Sequence, residues 1–141
     1  MYKPVVLLTG ASGFIGSHLV HFLLERDYRV IGLTRQKNKR EPHPDFHWIN
    51  QLDELKQHQI DYVVNLAGES IGQGRWTAAR KKKLLDSRLD TTKKVFDYLE
   101  KNQIRPKRII STSAVGYYGI DPNERWEQVC TEQSPPQDIF M

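Results

Sequence analysis

The sequence predicts an α/β protein built on a doubly wound parallel sheet, and two observations carry that expectation. Apolar runs of strand length alternate with helix-period segments along most of the chain. The first apolar run, residues 5–8, passes through Thr9 into a glycine-rich turn and then directly into a helical pattern. Strands that alternate with helices imply a parallel sheet, helices on both faces and right-handed crossovers.

Residues 5–8 (Val-Val-Leu-Leu) form the first predicted strand. In the helical pattern after the turn, Phe14, Ile15, Leu19, Phe22 and Leu23 are expected to share the buried face. Residues 28–34 read as a second strand, followed by a polar loop containing Pro42 and Pro44. Residues 46–49 suit a short third strand and residues 52–58 a short helix. Residues 61–66 (Asp-Tyr-Val-Val-Asn-Leu) are a strong strand that ends in Ala67-Gly68-Glu69-Ser70. Residues 77–102 are helical by period, with Leu85, Leu89, Val95, Phe96 and Leu99 expected to make one buried stripe. Pro106 closes that segment, and residues 108–113 are a fifth strand leading into residues 114–119. The tail from Ile120 is polar, carries Pro122, Pro135 and Pro136, and has little periodicity. A doubly wound sheet normally continues past its fifth strand. Residues 1–141 are therefore expected to be one nucleotide-binding domain of the Rossmann type, truncated after that strand, with the substrate-binding part missing from its C-terminal side.

A length of 141 residues suits one domain with a real hydrophobic core. Apolar residues at 38% and charged residues at 27% describe an ordinary soluble chain. It has no apolar run of membrane-spanning length, and it opens on a core strand rather than a secretory signal. Cys130 is the single cysteine, which excludes an internal disulfide and a multi-cysteine zinc site and suits a reducing, cytoplasmic location. The net charge is +4, with basic clusters at residues 35–40 and 80–83. Such a balance fits either nucleic acid or a phosphorylated small molecule. Without a reading helix or an aromatic platform, the small molecule is the expected partner, and neither nucleic acid nor a membrane is. The run at residues 80–83 reads as a solvated helix face. A homo-oligomer is left open.

Gly10, Gly13 and Gly16, each separated from the next by two residues, lie between a strand and a helix. Gly10 would permit the tight turn, Gly13 the approach of a pyrophosphate, and Gly16 close helix-to-strand packing. The helix start would offer its N–H groups to phosphate. Arg35 follows the second strand, where an acid would accept hydrogen bonds from an adenosine ribose and an arginine favours the 2′-phosphate of NADP. Lys37, Lys39 and Arg40 reinforce the positive charge, and no acid intervenes before Glu41. Ala67 and Gly68, after Asn65 and Leu66, would leave room for adenine and ribose at a strand end. Ser111, Thr112 and Ser113, with Tyr117 and Tyr118 just beyond, place hydroxyls where a substrate oxygen could be held.

These residues carry a resemblance. Thr9-Gly10-Ala11-Ser12-Gly13-Phe14-Ile15-Gly16 resembles the glycine motif of the short-chain dehydrogenase/reductase superfamily, in its extended and atypical branches. More narrowly, the chain is similar to the epimerase family proteins, relatives of NAD-dependent epimerase/dehydratases. The residues behind this are Asn65-Leu66-Ala67-Gly68-Glu69-Ser70-Ile71, then Arg75-Trp76-Thr77 with Ser87-Arg88-Leu89, then Ser113-Ala114-Val115-Gly116-Tyr117-Tyr118-Gly119. The resemblance implies NADP contacts at Gly10, Ser12, Gly13, Phe14, Ile15, Thr34, Arg35, Leu66, Ala67, Gly68 and Arg88. It implies a catalytic role for Ser113, and Tyr117, by its place just after the fifth strand, is the second catalytic candidate. Arg88 stands where many extended members have an asparagine, four residues before a threonine, here Thr92. Catalytic members also carry Tyr-x-x-x-Lys, which would fall near or beyond Phe140; none of the six tyrosines here has a lysine at that spacing. The implied activity is NADP-dependent oxidoreduction or epimerisation of a small carbonyl or sugar-like substrate, with a non-catalytic NADP sensor or regulatory protein as the alternative.

Overall fold

The computed structural model describes residues 1–36, 43–55, 59–68, 70–113 and 130–136. The chain divides into two compact units, Met1–Ser111 and Thr112–Met141. The first contains β1 (Val5–Thr9), α1 (Phe14–Leu24), β2 (Arg29–Leu33), β3 (Phe46–Ile49), β4 (Tyr62–Asn65), α2 (Ala78–Lys101) and β5 (Arg108–Ser111). One turn of 3₁₀ helix, Leu52–Glu54, links β3 to β4. In the second unit, the N–H of Thr131 donates to Ser134 Oγ, and the N–H of Ser134 donates back to the Thr131 carbonyl.

All neighbouring strands run parallel, in the order β3-β2-β1-β4-β5. The chain winds outward from β1 in one direction through β2 and β3, then in the other through β4 and β5. The winding reverses between β1 and β4, and ligands of such sheets bind at the carboxyl edge beside that reversal. This is the Rossmann-type α/β fold that the strand–helix alternation predicts.

The central strand explains the core. All five residues of β1 are buried, as a strand covered on both faces requires. Side chains alternate across it. Val5 and Leu7 join Ile31, Val63, Val95 and Leu99 on the α2 side. Val6 and Leu8 join Val20, Val30, Phe46 and Val64 on the α1 side. Helices therefore cover both faces.

Both helices bury narrower faces than the apolar pattern suggests. In α1 the buried residues are Gly16 and Val20, while Phe14, Ile15 and Phe22 are exposed. Gly16 lies against the backbone of the preceding turn, which centres the contact on Gly16 and Val20 and swings Phe14 and Ile15 aside. In α2 the buried residues are Leu84, Val95 and Leu99, whereas Leu85, Leu89 and Phe96 are exposed. At 3.6 residues per turn, the first three lie within about 60° of one another along the helix, and the second three form a separate stripe centred roughly 90° around it. The predicted single stripe is two stripes, and only one meets the sheet. The segment expected to be a helix over residues 52–58 supplies only the 3₁₀ turn, with residues 56–58 outside the described residues. The fifth strand ends at Ser111 rather than at residue 113. Lys37, Lys39, Arg40, Glu69, Tyr117, Tyr118 and Phe140 also lie outside the described residues.

Asp61 closes the amino-terminal edge of the sheet. Its side chain is buried, and its Oδ2 accepts from Tyr2 Oη at 2.5 Å and from the N–H of Val5 at 2.9 Å. Lys107 Nζ lies 3.3 Å from Oδ1, and the N–H of Lys107 donates to the Asp61 carbonyl at 2.7 Å. One residue thus joins the starts of β1, β4 and β5. Burial pushes the Asp61 carboxyl up, but the hydrogen bonds from Tyr2, Val5 and Lys107 outweigh it and hold the group below the usual carboxylate range. A carboxyl depressed in the folded state stabilises the fold above its unfolded pKa and loses that contribution as pH falls. The melting temperature should therefore drop as pH falls through and below the usual carboxylate range, and Asp61→Asn should flatten this dependence. At pH 7 the variant should be less stable by on the order of 1–3 kcal/mol. Parallel pH slopes for the two proteins in a series of thermal melts would remove Asp61 from this role.

Candidate functional site

The turn after β1 uses its three glycines in three different ways. Gly10 has φ +70°, and a Cβ there would lie 2.8 Å from the backbone of Leu66, so two chain segments meet at van der Waals limits. A Cβ on Gly16 would stand 2.1 Å from the Gly10 carbonyl oxygen, which no L-residue could tolerate. On Gly13 it would meet only that same oxygen, at 3.3 Å, with the rest of its surroundings open. Gly10 and Gly16 are therefore demanded by the protein's own packing. Gly13 is crowded far less, by a contact that would have to yield only a few tenths of an ångström, and it faces the space a ligand needs.

Gly13 is also the N-cap of α1. Its N–H donates to the Gly10 carbonyl at 3.0 Å, and its carbonyl accepts from the N–H of Ser17 at 2.9 Å. No side chain caps this helix, and its first turn contains no acid. The first N–H groups of a helix lack intrahelical partners and carry the positive end of its dipole. That arrangement favours an anion.

A buried polar network holds the crevice between β1 and β4. Thr9 Oγ1 donates to Asn65 Oδ1 at 2.5 Å and accepts from the N–H groups of Leu66 and Ala67, each at 3.1 Å. Asn65 Nδ2 donates to Thr92 Oγ1 at 2.9 Å and reaches Ser111 Oγ at 3.4 Å. Two side chains thus tie three strands and α2 together at the carboxyl edge. Arg88 joins α2 to the same place. Its Nη1 donates to the Leu84 carbonyl at 2.9 Å, and a Cβ on Gly68 would lie 2.9 Å from its guanidinium carbon. Glycine at position 68 lets that guanidinium lie directly over the chain.

A cleft of about 1040 Å³ opens along this edge. The predicted residues Gly10, Ser12, Gly13, Thr34, Arg35, Leu66, Ala67 and Gly68 all line it. Phe14 and Ile15 do not: their side chains project outward from the first turn of α1, which leaves only their backbone for a ligand. The lining also includes Asn50 to Asp53 and one face of α2 with Lys94, Tyr98 and Lys101. Burial pushes the Tyr98 phenol up, and the Asp53 carboxylate adds to the effect, so the group stays protonated at neutral pH.

At the end of β2, Ser12 Oγ and Thr34 Oγ1 share a hydrogen bond of 3.4 Å, and the N–H of Gln36 donates to Thr34 Oγ1 at 3.1 Å. Asn50 Nδ2 donates to the carbonyls of Thr34 and Gln36, at 2.8 and 3.2 Å. After β4, Trp76 Nε1 donates to the Ile71 carbonyl at 3.1 Å and Arg80 Nη2 to the Ser70 carbonyl at 2.5 Å. These bonds fold the segment between β4 and α2 back on itself.

Of the two residues expected to be catalytic, Ser113 is exposed and belongs to the second unit, while Tyr117 lies outside the described residues. Sequence reading named Thr9 and Thr92 within motifs without giving them a role, and it missed Asn50. The available signal was a polar residue closing a predicted strand, as with Thr9 after Leu8 and Asn50 after Ile49, although only Thr9 of the two is buried.

The comparisons with known proteins agree with this geometry. The model of the NAD dependent epimerase/dehydratase family matches residues 6–139. An epimerase family protein of Staphylococcus epidermidis is 39% identical over 118 residues, which are 82% of this chain and 39% of that protein. The crystal structure of the human epimerase family protein SDR39U1 with NADPH superposes with a TM-score of 0.76 at 31% identity, over 96% of this chain and 43% of that one. The Bordetella bronchiseptica enzyme WbmH in complex with NAD⁺ superposes with a TM-score of 0.69 at 21% identity, over 96% and 47%, a likeness of fold alone. The chain thus spans about two-fifths of the length of the curated relative and of the human structure. With a glycine turn, a switch-point cleft and a family match along nearly its whole length, this chain belongs to the NAD-dependent epimerase/dehydratase family, within the short-chain dehydrogenase/reductases.

Proposed function

We propose that this chain is an NADP-binding unit serving an oxidoreductase or epimerase that acts on a small carbonyl or sugar-like substrate. The observation that carries the NADP reading is Arg35 on the cleft wall at the end of β2, where an acid would instead favour NAD. Support for a dinucleotide comes from the open space at Gly13 and from an α1 first turn free of acids.

In this reading the N–H groups opening α1 take the pyrophosphate, and Arg35 takes the 2′-phosphate through paired, charge-assisted hydrogen bonds. Ala67 and Gly68 leave room for adenine and ribose beside β4, and Arg88 adds a cation over Gly68. When bound, NADP supplies or accepts a hydride, and the protein supplies position and electrostatics. Ser113 would donate a hydrogen bond to the substrate carbonyl oxygen, and Tyr117 is the second catalytic candidate. The partner is a small molecule rather than nucleic acid or a membrane. In the basic stretch of α2, Lys82 pairs with Asp86, and further along the helix Lys93 pairs with Asp97, each at 2.5 Å, as on a solvated helix face. Among the described residues, no helix is long and apolar enough to cross a membrane. A cytoplasmic location suits the lone, exposed Cys130.

Cofactor preference tests the central claim. NADPH should bind more tightly than NADH, and Arg35→Ala should abolish most of the difference, a loss on the order of 1.5–3 kcal/mol. Fluorescence titrations of both cofactors would show it, and equal wild-type affinities would sink the NADP assignment.

Gly13→Val tests the phosphate site. Its backbone (φ −76°, ψ 176°) suits a β-branched residue, so the variant should fold with nearly unchanged circular dichroism. Its branched side chain would occupy the phosphate space, and dinucleotide affinity should fall at least about tenfold. A folded variant with wild-type affinity would make the turn purely structural.

Ser113→Ala should leave NADPH affinity nearly unchanged, while turnover of a carbonyl substrate found by screening NADPH oxidation falls by about 10²-fold or more. Full activity would remove Ser113 from the chemistry. Tight NADPH binding without turnover of any carbonyl compound would favour the sensor alternative.

A further inference from the structure

We infer that Asn50 is a positioning residue that sets the preference for a 2′-phosphorylated cofactor, by clamping the backbone on either side of Arg35. The inference rests on the reading of Arg35 as the 2′-phosphate ligand, and it concerns a residue whose amide N–H groups are engaged by the backbone beside Arg35. The carbonyls on either side of Arg35, those of Thr34 and Gln36, both accept from Asn50 Nδ2, at 2.8 and 3.2 Å. One amide group thus brackets the residue that must face the phosphate. The Thr34 backbone is held a second time, where its N–H donates to the Ile49 carbonyl at 3.0 Å. The Thr34 hydroxyl accepts from the N–H of Gln36 and meets Ser12.

The clamp is itself anchored. The N–H groups of Asn50 and Gln51 both donate to Glu54 Oε1, at 3.0 and 2.9 Å. The 3₁₀ turn Leu52–Glu54 is thereby locked to the end of β3, and Asn50 with it. A chain of hydrogen bonds runs from Glu54 through Asn50 to the backbone flanking Arg35. Its physical consequence is preorganisation. A guanidinium on a long, flexible side chain gains little from a phosphate if its backbone must also be ordered on binding. With the backbone already held, only the side chain remains to be fixed. The amide is needed in particular because both acceptors are carbonyls. A carboxylate at position 50 would repel them, and an alkyl group would leave them without this donor.

The test separates this role from that of Arg35. The wild type, Arg35→Ala and Asn50→Ala are titrated with 2′,5′-ADP and 5′-AMP, which differ only by the phosphate at issue. The wild type should prefer 2′,5′-ADP, and Arg35→Ala should lose most of the preference. Asn50→Ala should lose part of it, roughly 3- to 10-fold in the ratio of the two affinities, the scale of one or two hydrogen bonds. Asn50→Ser, which keeps a single short donor, should lie between wild type and Asn50→Ala, and it serves in place of the alanine variant should that one fail to fold. Amide hydrogen exchange should also quicken at Arg35 and Gln36 in the Asn50 variants. If Arg35→Ala abolishes the preference and the Asn50 variants keep it, the clamp is overturned and the NADP reading stands. An equal loss of both ligands in the Asn50 variants would make Asn50 merely structural and overturns the inference as well. A wild type without preference overturns the NADP reading and the inference together.

Discussion

The site depends on the meeting of two backbones at the switch point. Gly10 approaches Leu66 and Ala67 so closely that a single methyl group would not fit, and Thr9 bonds across the same gap to Asn65. Both side chains are buried, and an orphaned polar group there would be destabilising by roughly 1–3 kcal/mol. Their mutual hydrogen bond turns that liability into a fixed register. Because Asn65 also reaches Thr92 and Ser111, the same constraint sets α2 and β5 relative to β1. The turn that offers Gly13 to a ligand is positioned by this junction.

The two edges of the sheet treat polarity in opposite ways. At the amino-terminal edge, Asp61 gathers the starts of three strands and spends its hydrogen-bonding capacity on Tyr2, Val5 and Lys107. At the carboxyl edge, some polar groups are tied into the network, while the first N–H groups of α1 are left without a side-chain cap. A parallel sheet with helices on both faces is closed by its apolar layers and can bind polar ligands only at an edge. In this chain the amino-terminal edge is closed by Asp61 and the carboxyl edge opens into the cleft.

Most of the element order was legible in the sequence because short-range physics dominates it. Residues 46–49 match β3, and Thr77 and Asn102 cap α2, within a residue of the predicted helix ends. The glycine turn was legible because only glycine meets its steric demands at positions 10 and 16. The buried faces were less so. Leu85, Leu89 and Phe96 fit a helical period as well as Val95 and Leu99 do, and periodicity alone does not say which of two stripes meets a sheet. Along residues 52–58, apolar spacing suggested a helix, but Gln51 and Glu54 satisfy each other's backbone groups in a capping box around a single 3₁₀ turn.

For the candidate site, the sequence by itself determined the strand–glycine–helix unit, the basic residue after β2 and the small residues after β4. Each is a local pattern, set by sterics or charge within a few neighbouring residues. Tertiary structure alone decided which polar residues hold those parts in place. Thr9 and Asn65 are 56 positions apart and Asn50 and Thr34 are 16 apart, so their pairing exists only once parallel strands bring their carboxyl ends together. The separate duties of the three glycines were decided at the same level. The spacing of Gly10, Gly13 and Gly16 is uniform in sequence, but the atoms that crowd Gly10 and Gly16, and leave Gly13 open, are placed by the packing of β4 and α1 against the turn.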